Sequence, residues 1–142
     1  MKLNNKKKIS FLDNNNLNNV QKLLKILEYL RDPEKGCAWD IKQTFSSISP
    51  YTIEEAYEVA QAIQDENFDD LREELGDLLL QVVFLSQIAN EKKLFCFDDV
   101  VNGIKEKLIR RHPHIFKENV NIKTAKEVKD QWDNIKLSEN KR

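Results

Sequence analysis

The sequence predicts an all-α protein, an antiparallel helical bundle of about four to five helices. Three observations carry this. Only three Gly and three Pro occur in 142 residues, too few for turn-rich β architecture. Apolar residues recur at helical spacing along most of the chain. Thr or Asp stands three residues ahead of Glu at several segment starts, the pattern of a helix N-terminal capping box.

Residues 1–18 are rich in Lys and Asn and read as a loose leader. Val20, Leu23, Leu24, Leu27 and Leu30 then form one apolar helix face. That helix should stop near Arg31, because Asp32-Pro33 disfavours helix and Gly36 follows. A loop, DPEKGCAWDIKQT, comes next. Ser49-Pro50 predicts the start of a second helix with proline in its first position, and Thr52 with Glu55 offers a competing cap. It should run to about Glu66, and Asp70 with Glu73 should open a third helix reaching about Asn90. So short a connection makes these two an antiparallel hairpin.

A fourth helix is expected from Asp98, burying Val100, Val101, Ile104 and Leu108 and ending before Pro113. A fifth should start at Thr124, with Glu127 completing its capping box and Val128, Trp132 and Ile135 on one side. Residues 19–137 thus form one all-α domain, and residues 138–142 a frayed tail.

The formal net charge of −1 supplies no global field for nucleic acid or an anionic membrane, so neither is expected as a partner. No run of about 18 apolar residues is present, and MKLNNKKKIS has the basic start of a signal peptide without its apolar middle. A cytoplasmic location is expected. Cys37 and Cys96 fit reduced thiols, and His112-Pro113-His114 lacks the spacing of a zinc finger.

Two acidic pairs stand out, Glu55 with Glu58 and Glu74 with Asp77. At 100° per residue, Asp77 lines up with Phe84 and Ile88, and Glu74, Gln81 and Leu85 run close beside them. Buried unpaired carboxylates cost several kcal/mol each, so such acids are neutralised, paired or bound to a cation. A hairpin can set Glu55 and Glu58 opposite Glu74 and Asp77, where four carboxylates repel unless a divalent cation joins them. Taken singly, Glu at i and i+3 is ordinarily a solvated helix face; the repeated spacing and the apolar setting point to metal. All-oxygen ligands suit Mg²⁺, with Mn²⁺ as the alternative, and the lack of Glu-x-x-His pairs argues against di-iron. Lys107 and Arg111, four apart in KEKLIRRHPH, share a helix face and fit a phosphate clamp as well as a solvated helix end.

E-x-x-E at Glu55-Ala56-Tyr57-Glu58, followed after fifteen residues by E-x-x-D at Glu74-Leu75-Gly76-Asp77, resembles the MazG-type family of all-α nucleoside triphosphate pyrophosphohydrolases. The blocks LRDPEKGCAWDIKQT, EEAYEV, DLREELGDLLLQVVF and KLIRRHPHIF, in this order, are similar to it as well, most of all to the first half of its two-domain members. In GCAWD, Ala38 replaces the more usual proline. The resemblance runs from about Val20 to Trp132 and implies a bundle that assembles as a homodimer or higher oligomer. It also implies Mg²⁺-dependent hydrolysis of nucleoside triphosphates to monophosphate and pyrophosphate.

By that resemblance Glu55, Glu58, Glu74 and Asp77 are metal ligands, and Lys107 and Arg111 are basic substrate-binding and catalytic positions. Trp132 matches a tryptophan near the substrate. Glu54 either orients water as a catalytic group or faces solvent, and Trp39 either stacks on a base or anchors packing. The alternative function is a non-catalytic helical module for nucleotide binding, dimerisation or regulation.

Overall fold

The computed structural model describes residues 9–140, and within them every regular element is helical. A 3-10 turn at Ser10–Asp13 precedes α1 (Asn19–Leu30), α2 (Ala38–Lys42), α3 (Phe45–Gln64), α4 (Phe68–Glu91), α5 (Phe97–Arg111), α6 (Pro113–Phe116) and α7 (Ala125–Glu139). The five long helices match the expected number; the short α2 and α6 fall where loop was expected. The chain forms two compact units, one ending at Phe97 and one starting at Asp98.

In the first unit α1 and α3 both pack on α4. Leu27, Ile48, Val83, Phe84 and Ile88 form the buried core, with Leu23, Leu24, Leu80, Leu85 and Phe97 against it. Full burial of each such side chain stabilises by about 1.5–3 kcal/mol. The α1 face is as expected except at its start, where Val20 stays half exposed. Asn18 and Gln21 form a reciprocal capping box there, each side chain bonding the other's backbone N–H at 2.8 Å. The leader is not loose throughout, since Phe11 lies 6.4 Å from the Tyr29 ring of α1. Residues 1–8 of that leader lie outside the described residues.

After α1 the chain reverses tightly. Gly36 N–H donates to the Asp32 carbonyl and Cys37 N–H to the Leu30 carbonyl. The Asp32 carboxylate accepts from the backbone N–H groups of Lys35 and Glu34, which hold its pKa below the usual range.

The second helix starts five residues earlier than Ser49-Pro50 suggested. Thr44 caps it and Ser47 returns the bond, a box closed by Ser rather than by Glu or Gln. Pro50 therefore sits inside α3, with no N–H to offer the Ser46 carbonyl one turn back. Thr52 and Glu55 form no cap. The third helix likewise opens at Asn67, whose side chain accepts from Asp70 N–H, and not at an Asp70–Glu73 box.

In the second unit, Val100, Val101, Ile104 and Leu108 are exposed rather than buried. The periodicity correctly marks a face of α5; no described residue of this unit is packed on all sides. Thr124 caps α7 by accepting from Glu127 N–H, while the Glu127 carboxylate accepts from the Thr124 hydroxyl instead of a backbone N–H. The frayed tail expected from residue 138 is helical through Glu139. Arg110 and Arg111 both grip that glutamate, at 2.6 and 2.9 Å. Residues 141 and 142 lie outside the described residues.

Candidate functional site

The site is built by the α3–α4 hairpin. Three residues connect these helices, and Glu66 takes a left-handed conformation at φ 52°. Asn67 N–H reaches the Ala62 carbonyl and Glu66 N–H the Ile63 carbonyl, so the end of α3 closes as a Schellman motif. Glu55 meets Glu74 and Asp77, while Ile48, seven residues back on α3, packs with Val83 and Phe84, about seven residues on along α4. Seven residues are about two helical turns, so the helices run antiparallel in a fixed register.

That register brings Glu55, Glu74 and Asp77 together, each offering a carboxylate oxygen within 4.8 Å of the others. Glu55 and Glu74 are partly buried and Asp77 is exposed. One oxygen of Glu55 and one of Glu74 are buried without a hydrogen-bond partner among the described residues. Burial, first of all, pushes the Glu55 pKa above its usual range. The Asp77 charge, proton sharing with Glu74, and the charges of Glu74 and Glu54 push the same way. Close, repelling, under-coordinated carboxylates fit a divalent cation, and a purely oxygen donor set fits a hard one.

Glu58 lies one turn along α3 from Glu55, is exposed and stands outside the three-carboxylate group. Glu54 is exposed beside Glu55. Trp39, on α2, is half exposed and meets Tyr51 of α3 edge to face at 6.1 Å.

Lys107, Arg111 and Trp132 belong to the second unit. Arg111 lies over the Trp132 ring, 5.2 Å from its centroid, and donates to Glu139 at 2.9 Å. His112 meets the Trp132 ring edge-on, with centroids 5.2 Å apart, and its Nδ1 is 2.6 Å from the Leu108 carbonyl. Two guanidinium groups hold the Glu139 carboxyl down to about 2. Lys107 is exposed on α5, outside that cluster.

Two polar residues beneath the acids were not assigned to the site from the sequence. Thr52 Oγ1 and Gln81 Oε1 are buried without partners among the described residues. The helical alignment places Gln81 beside Asp77, but its burial, 7% exposed, follows from packing that no local pattern encodes.

The family described as the MazG nucleotide pyrophosphohydrolase domain matches residues 43–116, from the cap of α3 through α6. The Escherichia coli (strain K12) protein named "Nucleoside triphosphate pyrophosphohydrolase" is 52% identical over 87% of this chain and 46% of its own length. The Thermotoga maritima "Nucleoside triphosphate pyrophosphohydrolase/pyrophosphatase MazG" is 50% identical over 84% of this chain and 44% of its own. The chain thus spans about half the length of these curated relatives. A crystal structure of a mazG-related protein from Thermotoga maritima superposes with a TM-score of 0.66 at 26% identity, over 82% of this chain and 97% of that one. With the family match covering the helices that carry the three acids, the chain belongs to the MazG nucleotide pyrophosphohydrolase domain family.

Proposed function

We propose that this domain hydrolyses ribo- or deoxyribonucleoside triphosphates to the monophosphate and pyrophosphate with Mg²⁺, or Mn²⁺ in its place, and so clears aberrant nucleotides. The observation that carries the reading is the convergence of Glu55, Glu74 and Asp77, with two buried oxygens unsatisfied, inside the segment that matches the family. Glu58, one turn from Glu55, is the fourth ligand in this proposal. A bound divalent cation supplies charge neutralisation along the triphosphate and lowers the pKa of a coordinated water.

The protein's own groups do the rest. Glu54 orients the attacking water from the rim of the site. Lys107 and Arg111 bind phosphate oxygens, and Trp132 and Trp39 offer faces to the base. A cytoplasmic location is part of the proposal. Among the described residues, no helix is long and apolar enough to cross a membrane. A homodimer or higher oligomer is part of the proposal, supported by the exposed Tyr57, Phe68 and Leu75 on α3 and α4. Sedimentation as a monomer at micromolar concentration would remove that part.

Purified protein with Mg²⁺ and a panel of nucleotides should release pyrophosphate and no orthophosphate, and Glu74→Gln and Asp77→Asn should each abolish it. Orthophosphate alone, or full turnover in both variants, overturns the assignment. One observation favours the non-catalytic alternative: the Arg111 guanidinium is already held by Glu139. On that reading nucleotides raise the melting temperature and no product forms.

A further inference from the structure

Among the described residues, five buried side-chain atoms lack a hydrogen-bond partner, and four of them lie on the α3–α4 hairpin: Thr52 Oγ1, Glu55 Oε2, Glu74 Oε2 and Gln81 Oε1. Native proteins leave few such atoms unsatisfied, so a concentration on two facing helices calls for an occupant. The register sets their level. Thr52 lies between core residue Ile48 and Glu55 along α3, and Gln81 lies between Asp77 and core residue Phe84 along α4. Both therefore stand one turn below the carboxylates, on the core side.

Gln81 is 7% exposed, and its amide nitrogen reaches the Asp77 carbonyl at 3.4 Å, which leaves its oxygen turned to other donors. Three of the four atoms are acceptors when the glutamates are ionised, and the Thr52 hydroxyl can donate only once. A proton shared between Glu55 and Glu74 leaves Thr52 and Gln81 as they are. Glu74 Oε2 is left to the cation, and the remaining demand is for a small group with two donors and one acceptor, which describes a water molecule.

We propose that Thr52 and Gln81 are positioning residues that seat one ordered water beneath the carboxylates. The water accepts from Thr52 Oγ–H and donates to Gln81 Oε1 and Glu55 Oε2. Glu55 is thereby fixed in one rotamer, with its other oxygen turned to the cation. The chemistry is that of an outer-shell partner, which orients a ligand without touching the metal. This rests on the divalent-cation reading of Glu55, Glu74 and Asp77.

The test is a Mn²⁺ titration of the whole chain, read by the paramagnetic spectrum of free Mn²⁺, for the wild type, Thr52→Val, Thr52→Ser and Gln81→Leu. Melting temperatures without metal are measured in parallel. Thr52→Val and Gln81→Leu should each bind Mn²⁺ about tenfold more weakly, and Thr52→Ser within about twofold of the wild type. Their metal-free melting temperatures should stay close to that of the wild type, since each replacement exchanges one hydrogen bond to the water for apolar contact. Wild-type affinity in Thr52→Val and Gln81→Leu overturns the proposal and leaves the cation reading standing, as does a loss that merely follows a lower melting temperature. A wild type that binds no Mn²⁺ overturns the cation reading and this proposal with it. Should Gln81→Leu fail to fold, Thr52→Val against Thr52→Ser decides alone.

Discussion

Arg31 and Glu91, sixty residues apart in sequence, form a two-pronged ion pair, Nε to Oε2 at 2.7 Å and Nη2 to Oε1 at 2.9 Å. The remaining guanidinium nitrogen donates to the Asp40 and Gln43 carbonyls at 2.6 and 3.0 Å, and the group lies over the Phe84 ring. One side chain at the end of α1 thus ties down the end of α4 and the carbonyls around the end of α2. Only a planar fork can do all of this. Arg31→Ala should cost about 2–4 kcal/mol, the lower part of that range reflecting the partial exposure of Glu91. Arg31→Lys should recover less than half of it, both read from urea unfolding. Equal stability of Arg31→Lys and the wild type would show that charge alone suffices.

Gly36 is the second fixed point of that segment. A Cβ there would lie 2.6 Å from the Asp32 carbonyl oxygen and closer still to that of Leu30. Neither oxygen can move cheaply, because each accepts a backbone hydrogen bond that closes the turn. Gly36→Ala should therefore destabilise by about 1–3 kcal/mol, although alanine is ordinarily the better residue outside special backbone regions. Unfolding midpoints of the two proteins decide it, and an unchanged midpoint contradicts the steric account.

What the sequence made legible follows from what local pattern encodes. The hairpin and three of its acids could be read because 3.6-residue periodicity fixes which positions share a face. The start of α3 could not, because Thr44 caps it with Ser47 returning the bond, a residue outside the usual box, whereas Thr52 and Glu55 match the box without forming it. Burial at Val100, Val101, Ile104 and Leu108 was over-read, since periodicity marks an apolar face and says nothing of what covers it. Arg31, Thr52 and Gln81 owe their surroundings to long-range packing. No local pattern announces them.

Glu139 makes the second unit acid-sensitive. Its carboxyl is held down to about 2 by Arg111 and Arg110, from an ordinary value of 4.5. A depressed folded pKa contributes stability that is fully present above the unfolded value and is lost as pH falls toward the folded one. The fluorescence of Trp132, under the Arg111 guanidinium, should report this between pH 4.5 and about 2 in a Trp39→Phe background. Glu139→Gln should flatten that transition and lower the melting temperature of the unit at neutral pH. Coincident acid profiles for the two proteins rule the pairing out as the cause.

Glu55 carries the opposite sign. Burial and its acidic neighbours raise its pKa above the ordinary 4.5, so the fold prefers the protonated form. Without metal, stability should fall as pH rises from 4.5 through the raised value, since ionisation then repels Glu74 and Asp77. A divalent cation competes with that proton, so stabilisation by Mg²⁺ or Mn²⁺ should grow with pH over the same interval and vanish below it. At about 100 times its dissociation constant a cation stabilises by about 2.7 kcal/mol, a shift of roughly 10–20 °C for a unit of this size. Asp77→Asn should melt higher than the wild type without metal, having lost a repelling charge, and should gain nothing from the cation. A cation shift that is independent of pH, or that survives Asp77→Asn, would place the ion elsewhere on the protein.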